Sequence, residues 1–319
     1  MGSAQEIFRR LADGEVVIMD GGTGTQLQAA GAAMDDDAWS GRANLDRPEL
    51  VQAVHEAYLR AGADVLIANT FAASRAALGP AGLGARVAEA NQNAVRAALR
   101  AREAAAGRPV AVAGSMSSFC PIAMHGRGAE SGPADQEMAE DARFPSPADF
   151  REQAALLADA GVDIIALELM ESAGYGRAAI EAASQTGLPV WLGISPIRRA
   201  DGTLGTDPEL GSGDSFEELL RKLAGPGIAA VNVMHAKPDV ILDSIEIIRR
   251  HFAGPIGVYA ESGDWAAPNW VFNGLSPAEY LAEAAGWVSH GAQIIGGCCG
   301  VGPDHVRLLA DRLPRHPGR

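Results

Sequence analysis

Short apolar runs, each closing on small or polar residues, recur along the chain, and most of the segments between them carry helical spacing, as in PELVQAVHEAYLRAG. Eight such runs stand out: EVVIMD (15–20), DVLIAN (64–69), PVAVAG (109–114), DIIALE (163–168), PVWLGI (189–194), IAAVNV (228–233), PIGVYA (255–260) and AQIIGG (292–297). Near-continuous apolar runs fit strands covered on both faces, and their alternation with helices implies parallel pairing through right-handed crossovers. Eight strand–helix units predict an α/β fold of the (β/α)8 TIM-barrel type, with residues 1–319 forming a single domain. The alternative is an open doubly wound sheet. The repeated joint in AGADVLI, AGVDIIA and HGAQIIG favours the barrel, because a glycine just past a helix end takes the left-handed cap before the chain re-enters the sheet. Two stretches break the alternation. Residues 118–147 are long, acidic and punctuated by Gly and Pro, which predicts a loop or lid over the barrel top after the third strand; residues 260–277 carry Trp265 and Trp270. The tail RLPRHPGR reads as frayed.

Composition changes this picture little: 319 residues, 47% apolar and 21% charged with 38 glycines, suit a large core with many turns. Charge narrows the partners. A formal net charge of -14 repels polyanions, and no cluster of Lys and Arg is interleaved with aromatics, so nucleic acid is not an expected partner. No apolar run approaches the roughly 18–20 residues that span a bilayer, and MGSAQEIFRRLADG lacks the apolar core of a signal peptide. The expectation is therefore a cytoplasmic protein with no membrane partner. Three cysteines cannot pair completely, and adjacent Cys298 and Cys299 would close a strained ring. In a reducing compartment, clustered thiols point to metal or chemistry.

In a barrel the active site forms where the strands end, so the residues just after each run are the candidates. They are Asp20-Gly21-Gly22, Asn69-Thr70, Gly114-Ser115, Glu168, Ser195, Asn232 to His235, Tyr259 to Gly263 and Gly296 to Gly300. The adjacent cysteines are the least ordinary feature among them. In an ideal strand Cys298 and Cys299 point to opposite faces, but flanking Gly296, Gly297 and Gly300 let the backbone bend and bring both sulfurs to one ion. Such a pair suits Zn²⁺, which needs a third protein ligand and an open position if the site is catalytic. The other reading is two small thiols packed under a loop.

With these residues laid out, the chain resembles the homocysteine S-methyltransferase family from about Val16 to Leu309. The resemblance rests on MDGGTGTQL (19–27), LDRPELVQAVHEAYLRAGADVLIANTF (45–71), the LE at Glu168, the VN at Asn232, YAESGD (259–264) and, most specifically, IIGGCCGVGPDHVRLL (294–309). It implies a TIM barrel in which zinc binds the thiolate of homocysteine, and a sulfonium or quaternary ammonium donor methylates it to methionine. Partners would be a small-molecule thiol and a methyl donor, with a homo-oligomer left open. Asp20, Glu168 and Asn232 match family positions near the substrate; Asp20 and Glu168, as catalytic candidates, would hold the amino group. Gly21 and Gly22 would let the backbone approach the carboxylate. Asn69, Tyr259 and Glu261 complete the expected substrate-binding set.

Two departures bear on the metal. Where the family has Val-Asn-Cys, this chain reads Val231-Asn232-Val233, so one thiolate is replaced. His235 is the first candidate for the third ligand beside Cys298 and Cys299, with Cys120 and Glu261 as alternatives. Gly114-Ser115-Met116-Ser117-Ser118 stands where the family has a Gly-Ser-x-Gly-Pro pattern, which suggests an altered thiol or donor, or a non-catalytic amino-acid binder without zinc. Trp39, Trp265, Trp270, Tyr175 and Tyr259 are candidates for an aromatic wall facing a methyl-bearing cation.

Overall fold

The computed structural model describes residues 2–105, 107–119, 144–208, 211–266 and 269–316. Each of the eight apolar runs contains a strand: β1 (Val17–Ile18), β2 (Val65–Ala68), β3 (Ala111–Ser117), β4 (Ile164–Glu168), β5 (Val190–Ile194), β6 (Ile228–Met234), β7 (Ile256–Tyr259) and β8 (Ala292–Ile295). All pair in parallel, in the order β1-β8-β7-β6-β5-β4-β3-β2. A parallel bridge between Met19 and Val65 joins the two ends, so the sheet is a barrel rather than an open layer.

Alternation along the strands sorts the core into two shells. Val17, Met19, Val65, Ala111, Ala113, Ile164, Ala166, Trp191 and Ala230 pack inside the barrel. Ile18, Leu66, Val112, Ile165, Leu192, Val231, Val233 and Val258 pack outward against the helices. Both faces are apolar, which is why the runs look continuous in sequence. The helix Ser3–Ala12, which the apolar pattern did not single out, closes the end where the strands begin: Ile7 and Leu11 join the inner shell, and Phe8 meets Trp191 edge-on at 6.4 Å.

Gly62, Gly161 and Gly291 take φ of 108°, 93° and 98°, so all three predicted joints are left-handed. At the opposite helix ends, Ser146 and Ser276 form capping boxes with Asp149 and Glu279, each followed by proline at the first turn. Within residues 260–277 a hairpin pairs Asp264–Ala266 with Asn269–Val271. Of the predicted lid, residues 120–143 lie outside the described residues. Within the tail, Arg315 is tied down rather than frayed, and residues 317–319 lie outside the described residues. The carbonyl of Arg315 accepts from Val16 N at 2.8 Å and its guanidinium reaches Asp64 at 2.7 Å, because that buried carboxylate needs cationic partners. Among the described residues no helix is long and apolar enough to cross a membrane.

Candidate functional site

At the mouth where the strands end, Gly296 and Gly297 turn the chain off β8 in space that no side chain could share. A Cβ on Gly297 would lie 2.1 Å from Val301 Cγ1, and one on Gly296 would lie 2.6 Å from Met19 Cβ. The cysteine loop is then tied to the segment after β7, with Cys298 N donating to Ala260 O at 2.9 Å and Ser262 N to Cys299 O at 2.7 Å. His235 leaves β6 with φ of 45°, a left-handed turn that redirects its side chain and that a non-glycine residue holds only under constraint. Its ring meets Trp270 edge-on at 5.7 Å.

This turn brings His235 Nδ1 to 3.6 Å from Cys298 Sγ and 3.8 Å from Cys299 Sγ, while the two sulfurs stand 3.8 Å apart. Tetrahedral zinc with bonds of about 2.3 Å to sulfur and about 2.0–2.1 Å to nitrogen demands edges of roughly 3.8 Å between sulfurs and roughly 3.6 Å between sulfur and nitrogen. The trio therefore fits one face of such a site. Val233 points into the helix-facing shell and offers nothing to the mouth. Cys120 lies outside the described residues. Glu261 approaches the same ring nitrogen, with Oε2 at 3.5 Å from His235 Nδ1, while its Oε1 lies 3.1 Å from Lys237 Nζ.

The thiols are unequal. A hydrogen bond from Cys299 holds Cys298 well below the usual thiol range, overcoming burial with help from His235; burial and the Cys298 charge push Cys299 up. Burial alone would lower His235, but its hydrogen bond and attraction to Cys298, with Glu261 and Glu171 nearby, raise it to about 9. Both shifts favour a thiolate at Cys298 facing a charged imidazole, and the thiolate is the metal-binding form.

Beside the trio opens a cavity of about 100 Å³, lined by Gly21, Gly22, Glu168, Tyr259 and an aromatic group of Trp39, Phe71, Phe119, Phe144 and Trp270. Trp39 meets Phe71 edge-on at 6.0 Å, and Phe71 and Phe119 lie 5.3 Å apart. Glu168 ends β4, buried, and accepts a hydrogen bond from the Ser115 hydroxyl on β3. Burial raises its carboxyl to about 7 against that hydrogen bond. The buried Tyr259 hydroxyl faces the Glu168 carboxylate and favours its ionised form.

The remaining predicted residues are placed differently. Asp20 is buried below the cavity without lining it, accepting from Ile67 N at 2.8 Å; burial pushes its carboxyl well up. Asn69 lines the cavity, but its amide is engaged by Ser40 and Asn44 at 2.8–3.0 Å. Asn232 is buried over Gly257, where an added Cβ would lie 1.9 Å from Asn232 Oδ1, and neither amide atom has a partner among the described residues. Gly21 and Gly22 line the cavity, and a Cβ on Gly21 would strike Val301 O at 2.1 Å. Glu261 does not line it. Of the aromatic candidates, Tyr175 does not line the cavity and instead stacks on Phe144 at 5.5 Å, and the Trp265 side chain lies outside the described residues.

Sequence reasoning passed over Phe71, Phe119 and Glu171. Glu171 is buried just past β4, with Oε2 lacking a partner among the described residues, and burial raises it to about 8 against the pull of His235. Its signal was the second acid of LELMES, three residues beyond Glu168.

A sequence profile described as homocysteine S-methyltransferase matches residues 17–313. Homocysteine S-methyltransferase 1 of Zea mays is 31% identical, with 100% of this chain and 100% of the relative aligned; homocysteine S-methyltransferase 2 of the same plant is 30% identical over 100% and 96%. Selenocysteine methyltransferase of Astragalus bisulcatus is 27% identical over 92% and 91%. Among solved structures, the oxidized form of the homocysteine methyltransferase MmuM from Escherichia coli matches with a TM-score of 0.73 at 25% identity, over 95% of this chain and 98% of that one.

Proposed function

Because this chain belongs to the homocysteine S-methyltransferase family and is an S-methyltransferase with small-molecule substrates, we propose that it methylates homocysteine at a zinc site made by Cys298, Cys299 and His235, using a sulfonium or quaternary ammonium donor. The observation that carries this reading is the triangle of donor atoms at 3.6, 3.8 and 3.8 Å beside the cavity, whose edges match a face of tetrahedral zinc. Bound there, zinc would act as a Lewis acid that lowers the pKa of an incoming thiol, about 8.5 when free and so mostly protonated at neutral pH, so that its proton is released to solvent and the thiolate serves as nucleophile.

The chain's own residues would position the partners. Glu168, with a carboxyl near neutrality, faces the cavity and would receive the amino group of the acceptor, whose positive charge favours the ionised form. Gly21 and Gly22 present bare backbone to its carboxylate, and Asn232 brings amide atoms without partners among the described residues. Asp20 supports this floor from beneath. Trp39, Phe71 and Phe119 would hold the donor's cationic centre by its methyl groups, and exclude water from it. In the transfer one carbon–sulfur bond forms as the donor's carbon–onium bond breaks; the electron pair leaves with the donor's sulfur or nitrogen, and the donor departs neutral. The likeness to selenocysteine methyltransferases supports extending the acceptor class to a selenol amino acid.

Purified protein supplied with zinc, homocysteine and methyl-labelled S-methylmethionine or betaine tests the reading. Labelled methionine is expected with one donor, about one zinc per chain, and loss of both on Cys298→Ser or Cys299→Ser, with metal affinity down by more than the roughly 10–100-fold typical of residues that merely support a ligand. Wild-type protein that takes up no zinc, or that makes no methylated thiol with either donor, would refute it.

A further inference from the structure

Resting on the zinc reading above, we infer that Lys237 is a positioning residue that clamps the segment after β7 and, through that segment's backbone, holds the His235 turn and the cysteine loop in place around one ion. The His235 turn is under constraint, at φ of 45°, and has to be held from outside. What holds it is the segment after β7, which lies between the His235 turn and the cysteine loop. Glu261 N donates to Ala236 O at 3.1 Å on one side, and Ser262 N donates to Cys299 O at 2.7 Å on the other. Gly263 and Gly300 meet so closely that a Cβ on Gly300 would lie 2.7 Å from Gly263 N.

Side chains complete this layer. Lys237, two residues past His235, folds over the segment and binds it at three points: Glu261 Oε1 at 3.1 Å, Asp264 Oδ1 at 2.7 Å and Gly263 O at 3.0 Å. The grip of Lys237 also occupies the Glu261 carboxylate, whose other oxygen lies 3.5 Å from His235 Nδ1, the nitrogen that faces both sulfurs. An exposed lysine–carboxylate pair contributes little by itself. Here the side chain of Glu261 is only 11% exposed and stands near two thiols, so without Lys237 its charge would have His235 Nδ1 as its remaining partner and would tie up the nitrogen that the metal needs. Outer groups of this kind orient a metal's ligands without touching the metal.

Zinc affinity of the full chain, measured by competition with a chromophoric chelator, tests the clamp. Lys237→Met is expected to weaken zinc binding by about 10–100-fold and to weaken the thiolate-to-cobalt absorption of the cobalt-substituted protein. Lys237→Arg, which keeps the charge and reach, is expected to restore both. The metal-free Lys237 variants are expected to melt with the wild type, as befits a half-exposed lysine. Wild-type zinc uptake with unchanged affinity and spectrum in Lys237→Met overturns the clamp alone; equal weakening in Lys237→Arg also overturns it. A wild type that takes up neither zinc nor cobalt overturns the metal reading first.

Discussion

Glu168 shows how one residue's surroundings set its working range. Buried at the end of β4 with the Ser115 hydroxyl as partner, its carboxyl rises to about 7, so it changes charge within the range where the enzyme is assayed. If its anion receives the substrate's ammonium, the Michaelis constant for the amino-acid acceptor is expected to rise as pH falls through 7, by roughly tenfold at one unit below. Glu168→Gln is expected to show a raised constant at every pH and to lose that dependence. Steady-state measurements at pH 6, 7 and 8 decide it, and a wild-type constant that stays flat counts against the role. Residues of this kind are visible in sequence when the type is unusual for its place: an acid closing the apolar run DIIALE, two cysteines between glycines. His235 was visible only as a candidate, since reaching both sulfurs depends on a left-handed turn that no pattern announces. Phe71 and Phe119 were hidden because phenylalanine past a strand end looks like ordinary packing, and only the assembled mouth turns them toward a cavity.

Elements were the most legible level, because a strand covered on both faces must be apolar throughout and a helix end must satisfy its carbonyls. The eight runs and the three glycine joints follow from those two requirements. The Ser3–Ala12 helix was missed since its apolar face is short and serves a place, the barrel's lower opening, that exists only after closure. A second anomaly lies inside the helix Pro48–Ala61. His55 is fully buried there, with neither ring nitrogen partnered among the described residues, and burial lowers it to about 4. The unfolded chain takes up a proton near pH 6.5 that the folded chain refuses until about 4, so stability is complete above 6.5 and declines as pH falls between these values. His55→Leu is expected to flatten that decline and to gain about 2 kcal/mol at pH 5, from 1.5 pH units at about 1.4 kcal/mol each. Denaturant titrations at pH 5 and pH 8 measure it; an equal gain at both would mean that packing, not protonation, governs the site.

At the scale of the whole molecule, the barrel separates the end that holds it together from the end that reacts. Asp64, just before β2, gathers three arginines from distant parts of the chain: Arg10 of the N-terminal helix and Arg108 before β3 at 3.2 Å each, and Arg315 near the C-terminus at 2.7 Å. It also accepts from Ile18 N at 3.0 Å. Burial would raise its carboxyl, yet these contacts, the Arg10 hydrogen bond foremost, hold it below the usual range. The contribution is therefore present above pH 3.8 and is lost as pH falls through the depressed folded value. Asp64→Asn leaves three guanidinium groups facing a neutral amide, and breaking a buried ion pair from one side costs about 3–5 kcal/mol. Arg315→Ala leaves the other two arginines in place and is expected to cost about 1 kcal/mol, the scale of a single partly exposed pair. The trio of His235, Cys298 and Cys299 and the cavity beside it lie beyond the opposite ends of the strands. Asp64→Asn is accordingly expected to lower the unfolding midpoint and to open both termini to proteolysis while, at 25 °C, zinc affinity and kcat/KM per folded molecule stay within about twofold of wild type. Loss of metal binding in folded Asp64→Asn protein would mean instead that closure at the lower end sets the geometry at the mouth, and that the two ends of this barrel are mechanically one.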